Sequence, residues 1–310
     1  MTCRAAPVSA GAVRRFLFAP LLLVASSLVA QNYTTVPSLE FANVRGTSFQ
    51  LDLRVPDGRG PFPAILYLHS GAWITGDRTG GPVIRQATRG YAVASIDYPL
   101  APQFIWPSQI EVCKAAVRWL RANAARFDLD PNRIGVFGTS AGGHLAAILG
   151  TSGDEASLEG LELGNAQFSS RVKAVVDFYG PTDLLLINDQ KLPCYGLDAN
   201  SPLMPPSLLI GCPIQQCKDK TATSNPINYI TPDDPPFLIM QGTADCLTPY
   251  QQSVMLHEAL RAAGIDSTLY LVAGATHSDA IFTSPAYQQI VDAWLDAHLR
   301  GSVRRRAVRR

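Results

Sequence analysis

Short apolar runs that alternate with segments of helical period constrain the fold of this chain more than any other feature. Residues 49–55 alternate in polarity, as a half-buried strand does. Residues 63–68 form a continuous apolar run, the pattern of a strand covered on both faces, and 91–96, 134–137, 172–178, 237–240 and 268–272, apolar at most positions, read the same way. Between them, helical patterns run over 82–89, 108–125, 141–149, 251–263 and 285–299, and Gly90 and Gly264 close two of these as C-caps. Such alternation predicts an α/β fold on a doubly wound, mainly parallel sheet. A length of 310 residues suits one large domain over 31–299 plus a leader. Residues 183–235 break the rhythm with many Pro and Asn and no clean period. That is too long for a plain loop, so an insertion over the mouth of the sheet, stapled by disulfides, is expected.

Gly138-Thr139-Ser140-Ala141-Gly142 lies between the apolar run ending at Phe137 and the helical run that follows. A G-x-S-x-G pentapeptide alone is weak, because chance matches are common. The strand–turn–helix setting is the context the motif needs. Glycines allow a turn sharp enough to lift the Ser140 hydroxyl clear of the backbone, with the Ala141 N–H at the helix start. A serine hydroxyl is a poor nucleophile and needs a base, which in turn needs an acid to hold its tautomer. On a parallel sheet, loops at the carboxyl ends of the strands supply both.

Of the five histidines, His277 follows the last strand-like run on a loop at the correct end and is the candidate base. His69 precedes the nucleophile. His144 falls one turn after Ser140, where a core or supporting role is expected, and His257 and His298 sit in amphipathic helices. The candidate acid is Asp245, after the run 237–240. Asp183 is the runner-up, though Thr182-Asp183 reads as a helix start or turn. The catalytic set is therefore Ser140, Asp245 and His277.

Residues 1–30 read as a signal peptide: Arg4, Arg14 and Arg15, then an apolar run over 16–30, with cleavage near Ala30. An uncleaved N-terminal anchor is the alternative. Secreted or periplasmic localisation follows, with no stable membrane span after cleavage. Formal net charge is +1 overall. Without the three leader arginines it becomes −2, and without the six arginines in 300–310 the body carries −8. An acidic body offers no nucleic-acid footprint, and the basic end reads as a disordered tail. Export makes disulfides expected among the mature cysteines. Cys113, in a helical stretch, is the odd thiol. Cys194, Cys212, Cys217 and Cys246 allow three pairings, of which Cys212–Cys217 and Cys194–Cys246 are favoured. No Cys-x-x-Cys spacing or nearby His supports a zinc site.

His69-Ser70-Gly71-Ala72-Trp73 resembles the His-Gly-Gly-Gly-(Trp/Phe) motif of the hormone-sensitive-lipase-like and feruloyl/acetylxylan-esterase-like (BD-FAE) α/β-hydrolases. Asp97-Tyr98-Pro99-Leu100-Ala101-Pro102, the nucleophile block 130–146, the acid block 234–245 and Gly274-Ala275-Thr276-His277 extend that resemblance over 48–299. It implies the α/β-hydrolase fold, a serine esterase working through an acyl-enzyme without metal or organic cofactor, and oxyanion donors at Gly71, Ala72 and Ala141. The implied partner is a small-molecule or polymer-borne ester. Oligomeric state is not legible. Departures from the pattern are Ser70 and Ala72 for glycines, Pro99 for Arg, Gln241 where His is frequent and Cys246 where Pro is common. A prolyl-oligopeptidase-type peptidase is similar around 242–245, but about fifteen residues between leader and first strand leave no room for its propeller. A non-catalytic binding module on this fold is the other alternative. Trp73, Tyr98, Phe104, Trp106 and Tyr195 are candidate pocket aromatics.

Overall fold

The computed structural model describes residues 32–300. The leader, its cleavage site and the tail beyond Arg300 lie outside the described residues.

Eight strands form one sheet in the order β1-β2-β4-β3-β5-β6-β7-β8. They are β1 (Tyr33–Val44), β2 (Thr47–Pro56), β3 (Phe62–Leu68), β4 (Ala92–Ile96), β5 (Leu129–Thr139), β6 (Val175–Phe178), β7 (Phe237–Gly242) and β8 (Ser267–Val272). β1 and β2 pair antiparallel at one edge, and β3 to β8 run parallel. The helices are α1 (Ser108–Ala122), α2 (Ala141–Thr151), α3 (Ile187–Gln190), α4 (Pro205–Ile210), α5 (Lys218–Ala222), α6 (Tyr250–Ala262) and α7 (Pro285–Leu295).

Both faces of the parallel strands are covered, which is why their sequences are continuously apolar. Ala64, Leu66, Val136, Val175 and Ile239 pack with α1, α2 and α6. Their neighbours Ile65, Tyr67, Phe137, Val176 and Met240 pack on the other face with Val291 and Leu295 of α7. The period of two therefore divides each strand between two separate cores.

The structure corrects several expectations. The interval before residue 47 is filled by β1, which pairs with β2 through two register shifts, between Val36 and Leu39 and between Glu40 and Ala42. Pro37 and the left-handed Ser38 (φ 56°) sit in the first shift. Bulges in an edge strand erase the period-two signal, so the segment does not read as a strand. Over 82–89 the α-helix is replaced by a 3₁₀ turn, Ile84–Arg89. The last helix ends at Leu295 and continues as a π turn, Asp296–Arg300. Arg300 belongs to that turn, not to the tail: its guanidinium lies 4.3 Å from the Tyr91 ring centroid and pairs with Asp296 at 3.4 Å. Buried Leu299 holds the turn against the sheet.

The insertion is built from α3, α4, α5 and a 3₁₀ turn at Pro226–Tyr229. Cys212–Cys217 closes a local loop, and Cys194–Cys246 ties the insertion to the loop after β7. Cys113 is free and buried in α1.

Candidate active site

The turn from β5 to α2 places Ser140 at φ 55°, ψ −120°, a region L-residues rarely occupy. The glycines around it are required by contact. A Cβ on Gly138 would collide with the Gly142 carbonyl, and one on Gly142 with the carbonyls of Leu68 and His69. One on Gly143 would lie 3.0 Å from the Gly180 Cα and press on Asp177. The elbow thus sits directly on the end of β3, where the His69–Trp73 loop begins. Strained backbone persists only where its surroundings over-determine it, and here sheet and helix grip the turn from both sides.

Ser140 Oγ lies 2.8 Å from His277 Nε2. His277 Nδ1 lies 2.7 Å from Asp245 Oδ2. These residues, 137 and 32 positions apart in sequence, meet at the carboxyl end of the sheet. Nδ1–H donates to the carboxylate, which leaves Nε2 to accept from the serine hydroxyl. Asp245 is 1 % exposed, so its charge depends on donors. Its Oδ1 accepts the Leu247 and Thr248 N–H groups, each at 2.8 Å, and its Oδ2 also accepts Gln241 Nε2 at 2.9 Å.

Gln241 escaped the sequence reading as a contributor; it registered only as a departure from the family pattern. It is fully buried. Beyond Asp245, its Nε2 lies 3.1 Å from the Thr248 carbonyl, and its Oε1 accepts from Ser253 Oγ at 3.1 Å. One amide links the end of β7, the acid loop and α6. Tyr179 was also missed. Its ring meets the His277 imidazole edge-on at 4.9 Å, and burial raises its phenol to about 12. Its position just past β6 was the available signal.

Asp183, the runner-up acid, is engaged elsewhere. It caps the 3₁₀ turn Leu184–Leu186 by accepting from Leu185 N at 2.9 Å. The remaining histidines have local partners. His144 is fully buried, its Nε2–H donating to the Ser224 carbonyl at 2.7 Å, and burial lowers it to about 4. His257 Nδ1 lies 2.9 Å from Ser267 Oγ. His69 stacks on Tyr98 at 4.1 Å, and burial lowers its pKa.

Residues Gly71, Ala72 and Trp73 all have positive φ (123°, 52° and 61°). The Gly71 carbonyl is held by the N–H groups of Ile74 and Thr75, each at 3.0 Å, which turns the loop back on itself. Tyr98 OH donates to the His69 carbonyl at 2.9 Å, and Ala101 N–H to the Trp73 carbonyl at 2.8 Å. The 97–102 segment therefore buttresses the loop. Ser70 Oγ donates to the Thr139 carbonyl at 3.1 Å, joining the loop to the elbow. Ala141, the first residue of α2, has no carbonyl one turn back within the helix, so its N–H is free to serve as a donor.

Beside Ser140 and His277 opens a pocket of about 120 Å³. Its walls come from the His69–Trp73 loop (Ala72, Trp73), the insertion (Ile187, Tyr195, Leu197, Met204, Pro205, Pro206) and the loop after β7 (Leu247, Thr248). Of the five candidate aromatics, Trp73 and Tyr195 line it, while Tyr98, Phe104 and Trp106 are buried in the core beside β2 and α1. A flat ring near a motif buries more area by packing inward than by facing a cleft. Among the described residues no group of three or more His, Cys, Asp or Glu is arranged to hold a metal ion.

Comparison with known proteins agrees with this architecture. Esterase LipC of Mycobacterium tuberculosis is 34 % identical over 221 residues, spanning 70 % of this chain and 53 % of that protein. The chain spans about half the length of the curated relatives it matches. A truncated carbohydrate esterase from gut microbiota superposes with a TM-score of 0.77 at 28 % identity, covering 89 % of this chain and 99 % of its own. An esterase of Thermogutta terrifontis superposes at 0.64 with 25 % identity, covering 87 % and 93 %. The BD-FAE sequence model matches residues 51–260. With that match over well over half its length, on a mainly parallel eight-stranded sheet with the α/β-hydrolase topology, the chain belongs to the BD-FAE family.

Proposed function

We propose that this protein hydrolyses carboxylic esters through Ser140, His277 and Asp245 by way of an acyl-enzyme. The observation that carries the reading is the continuous pair of hydrogen bonds, 2.8 Å from Ser140 to His277 and 2.7 Å from His277 to Asp245. Ser140 Oγ attacks the ester carbonyl while His277 Nε2 takes its proton. Asp245 holds Nδ1–H and offsets the imidazolium charge. The N–H groups of Gly71, Ala72 and Ala141 receive the oxyanion; loss of one such donor typically costs ~10²–10³ in rate. His277 then returns the proton to the departing alkoxide. Water repeats the sequence in reverse roles and frees Ser140.

The esterase names carried by relatives and structural neighbours support the ester bond as target. The basic-then-apolar leader pattern and two disulfides support a secreted or periplasmic location. The test is covalent labelling by a fluorophosphonate together with p-nitrophenyl acetate hydrolysis. Ser140→Ala should abolish labelling and lower kcat by ~10⁵–10⁶ with the fold intact. Full turnover in that variant would refute the assignment.

A further inference from the structure

Two walls of the pocket meet at a covalent link. Cys194 and Cys246 are bonded with their Cα atoms 5.5 Å apart. Tyr195 follows one of them and Leu247 the other, and Leu197 lies two residues further along the insertion. Leu197 and Leu247 line the pocket and are nevertheless 50 % and 55 % exposed. Leu203, which precedes the pocket residue Met204, is 81 % exposed. Large aliphatic side chains are scattered singly over ordinary surfaces, whereas here they gather where an apolar pocket reaches solvent.

The chemistry of the lining is equally selective. Its polar side-chain groups are those of Ser140, Thr248 and His277 with the Tyr195 phenol and the Trp73 indole N–H, and it holds no carboxylate, Lys or Arg. A sugar ring is recognised by an exposed aromatic face together with polar groups that meet its hydroxyls. Trp73 and Tyr195 are only 4 % and 9 % exposed, so neither offers a face at the mouth. The pocket, about 120 Å³ beside Ser140 and His277, seats one short arm of an ester. The other arm must leave across the leucines.

We propose that Leu197 and Leu247, clamped across the mouth by the Cys194–Cys246 disulfide, form an aliphatic rim that selects esters pairing one short arm with a larger, uncharged, apolar arm, in preference to acyl groups carried on a sugar. This rests on the ester-hydrolase reading above and specifies its substrate class. The occupant of the rim is the apolar arm itself, because the rim is continuous with the pocket that contains Ser140 and His277. The disulfide makes the rim a fixed feature: it holds Leu197, on an insertion segment with no sheet of its own, opposite Leu247 on the acid loop.

The test compares kcat/KM for methyl acetate, hexyl acetate, methyl hexanoate and acetylated xylotriose, using the full chain with disulfides intact. At least one hexyl or hexanoyl ester should exceed both methyl acetate and the acetylated sugar by tenfold or more, chiefly through KM. Each methylene withdrawn from water is worth up to about fourfold, and the rim shelters the arm on one side only. Leu197→Ser with Leu247→Ser should remove about fivefold or more of that advantage. Half-exposed leucines tolerate serine, and a thermal midpoint close to the parent's checks that the double variant folds. Cys194→Ser with Cys246→Ser should likewise flatten the selectivity. An acetylated sugar preferred over every apolar ester, or an unchanged preference in the leucine variant, would overturn the rim. Absence of both turnover and fluorophosphonate labelling would instead overturn the ester-hydrolase reading, and the rim with it.

Discussion

Replacing Gln241 by leucine probes how much the proposed acid depends on a residue outside the proposed catalytic set. The amide is 0 % exposed and spends its Nε2 on the Asp245 carboxylate at 2.9 Å and the Thr248 carbonyl at 3.1 Å. Leucine fills nearly the same volume but removes a hydrogen bond to a charged group, worth about 1.5–3 kcal/mol. It also strands the Ser253 hydroxyl, which donates to Oε1 at 3.1 Å, at a further cost of about 1 kcal/mol. The sum is a loss of about 2.5–4 kcal/mol. For a chain of this size that lowers Tm by about 4–7 °C. Activity should fall far less than when the carboxylate is lost, because Asp245 Oδ1 keeps its two backbone donors at 2.8 Å. Gln241→Glu should be worse than leucine at neutral pH, since it sets a second carboxylate against the first in a buried site. Differential scanning calorimetry with p-nitrophenyl acetate kinetics reads both effects. A Gln241→Leu protein within about 0.5 kcal/mol of the parent would refute the reasoning.

Asp245→Asn should cut kcat by ~10⁴ while leaving the fold intact, because the amide presents the wrong hydrogen-bonding pattern to His277 Nδ1; an ester assay on the purified variant decides it. Asp177 is buried beside the first turn of α2, its Oδ2 has no hydrogen-bond partner among the described residues, and burial raises it to about 7. A raised carboxyl stabilises the fold below its unfolded value and loses that contribution as pH climbs to about 7, so Asp177→Asn should gain stability at pH 8, by up to about 4 kcal/mol, and little at pH 4. His144 runs the other way: lowered to about 4, it favours the fold above its unfolded value near 6.5 and loses that as pH falls, so the Asp177→Asn variant should show a steeper acid loss between pH 6 and 4 than the parent. Chemical denaturation across that range tests both signs. Reduction of Cys194–Cys246, which closes 52 residues, should cost about 4 kcal/mol by the chain-entropy relation and lower activity in step, as thermal melts and ester assays with and without reductant will show.

Local order was legible from the chain alone. Continuous apolar runs announced the parallel strands, and the spacing of Gly138, Gly142 and Gly143 announced a serine at a cramped turn, because strand burial and close backbone approach act on residues a few positions apart. The order Ser140, Asp245, His277 could be named because each follows a strand-like run at the same end of the sheet, and the pairing Cys194–Cys246 because only four cysteines remained to pair once Cys113 was set aside. What the alternation could not announce was β1, whose bulges at Pro37 and Glu40 cancel the period-two signal, or the folding of Arg300 onto Tyr91.

Tertiary structure alone decided the surroundings of the site. Gln241 looked like a departure from a pattern until the acid loop brought Asp245 Oδ2 within 2.9 Å of it. Tyr179 meets the His277 ring only because β6 and β8 flank β7 in the sheet. Which of Trp73, Tyr98, Phe104, Trp106 and Tyr195 faces the cleft depends on where the insertion lies, and residues 183–235 have no period from which to read that. The physical reason is the same in each case. Periodicity and steric demand are properties of neighbours along the chain, whereas hydrogen-bond partners and pocket walls are set by segments that meet only once the sheet has closed around them.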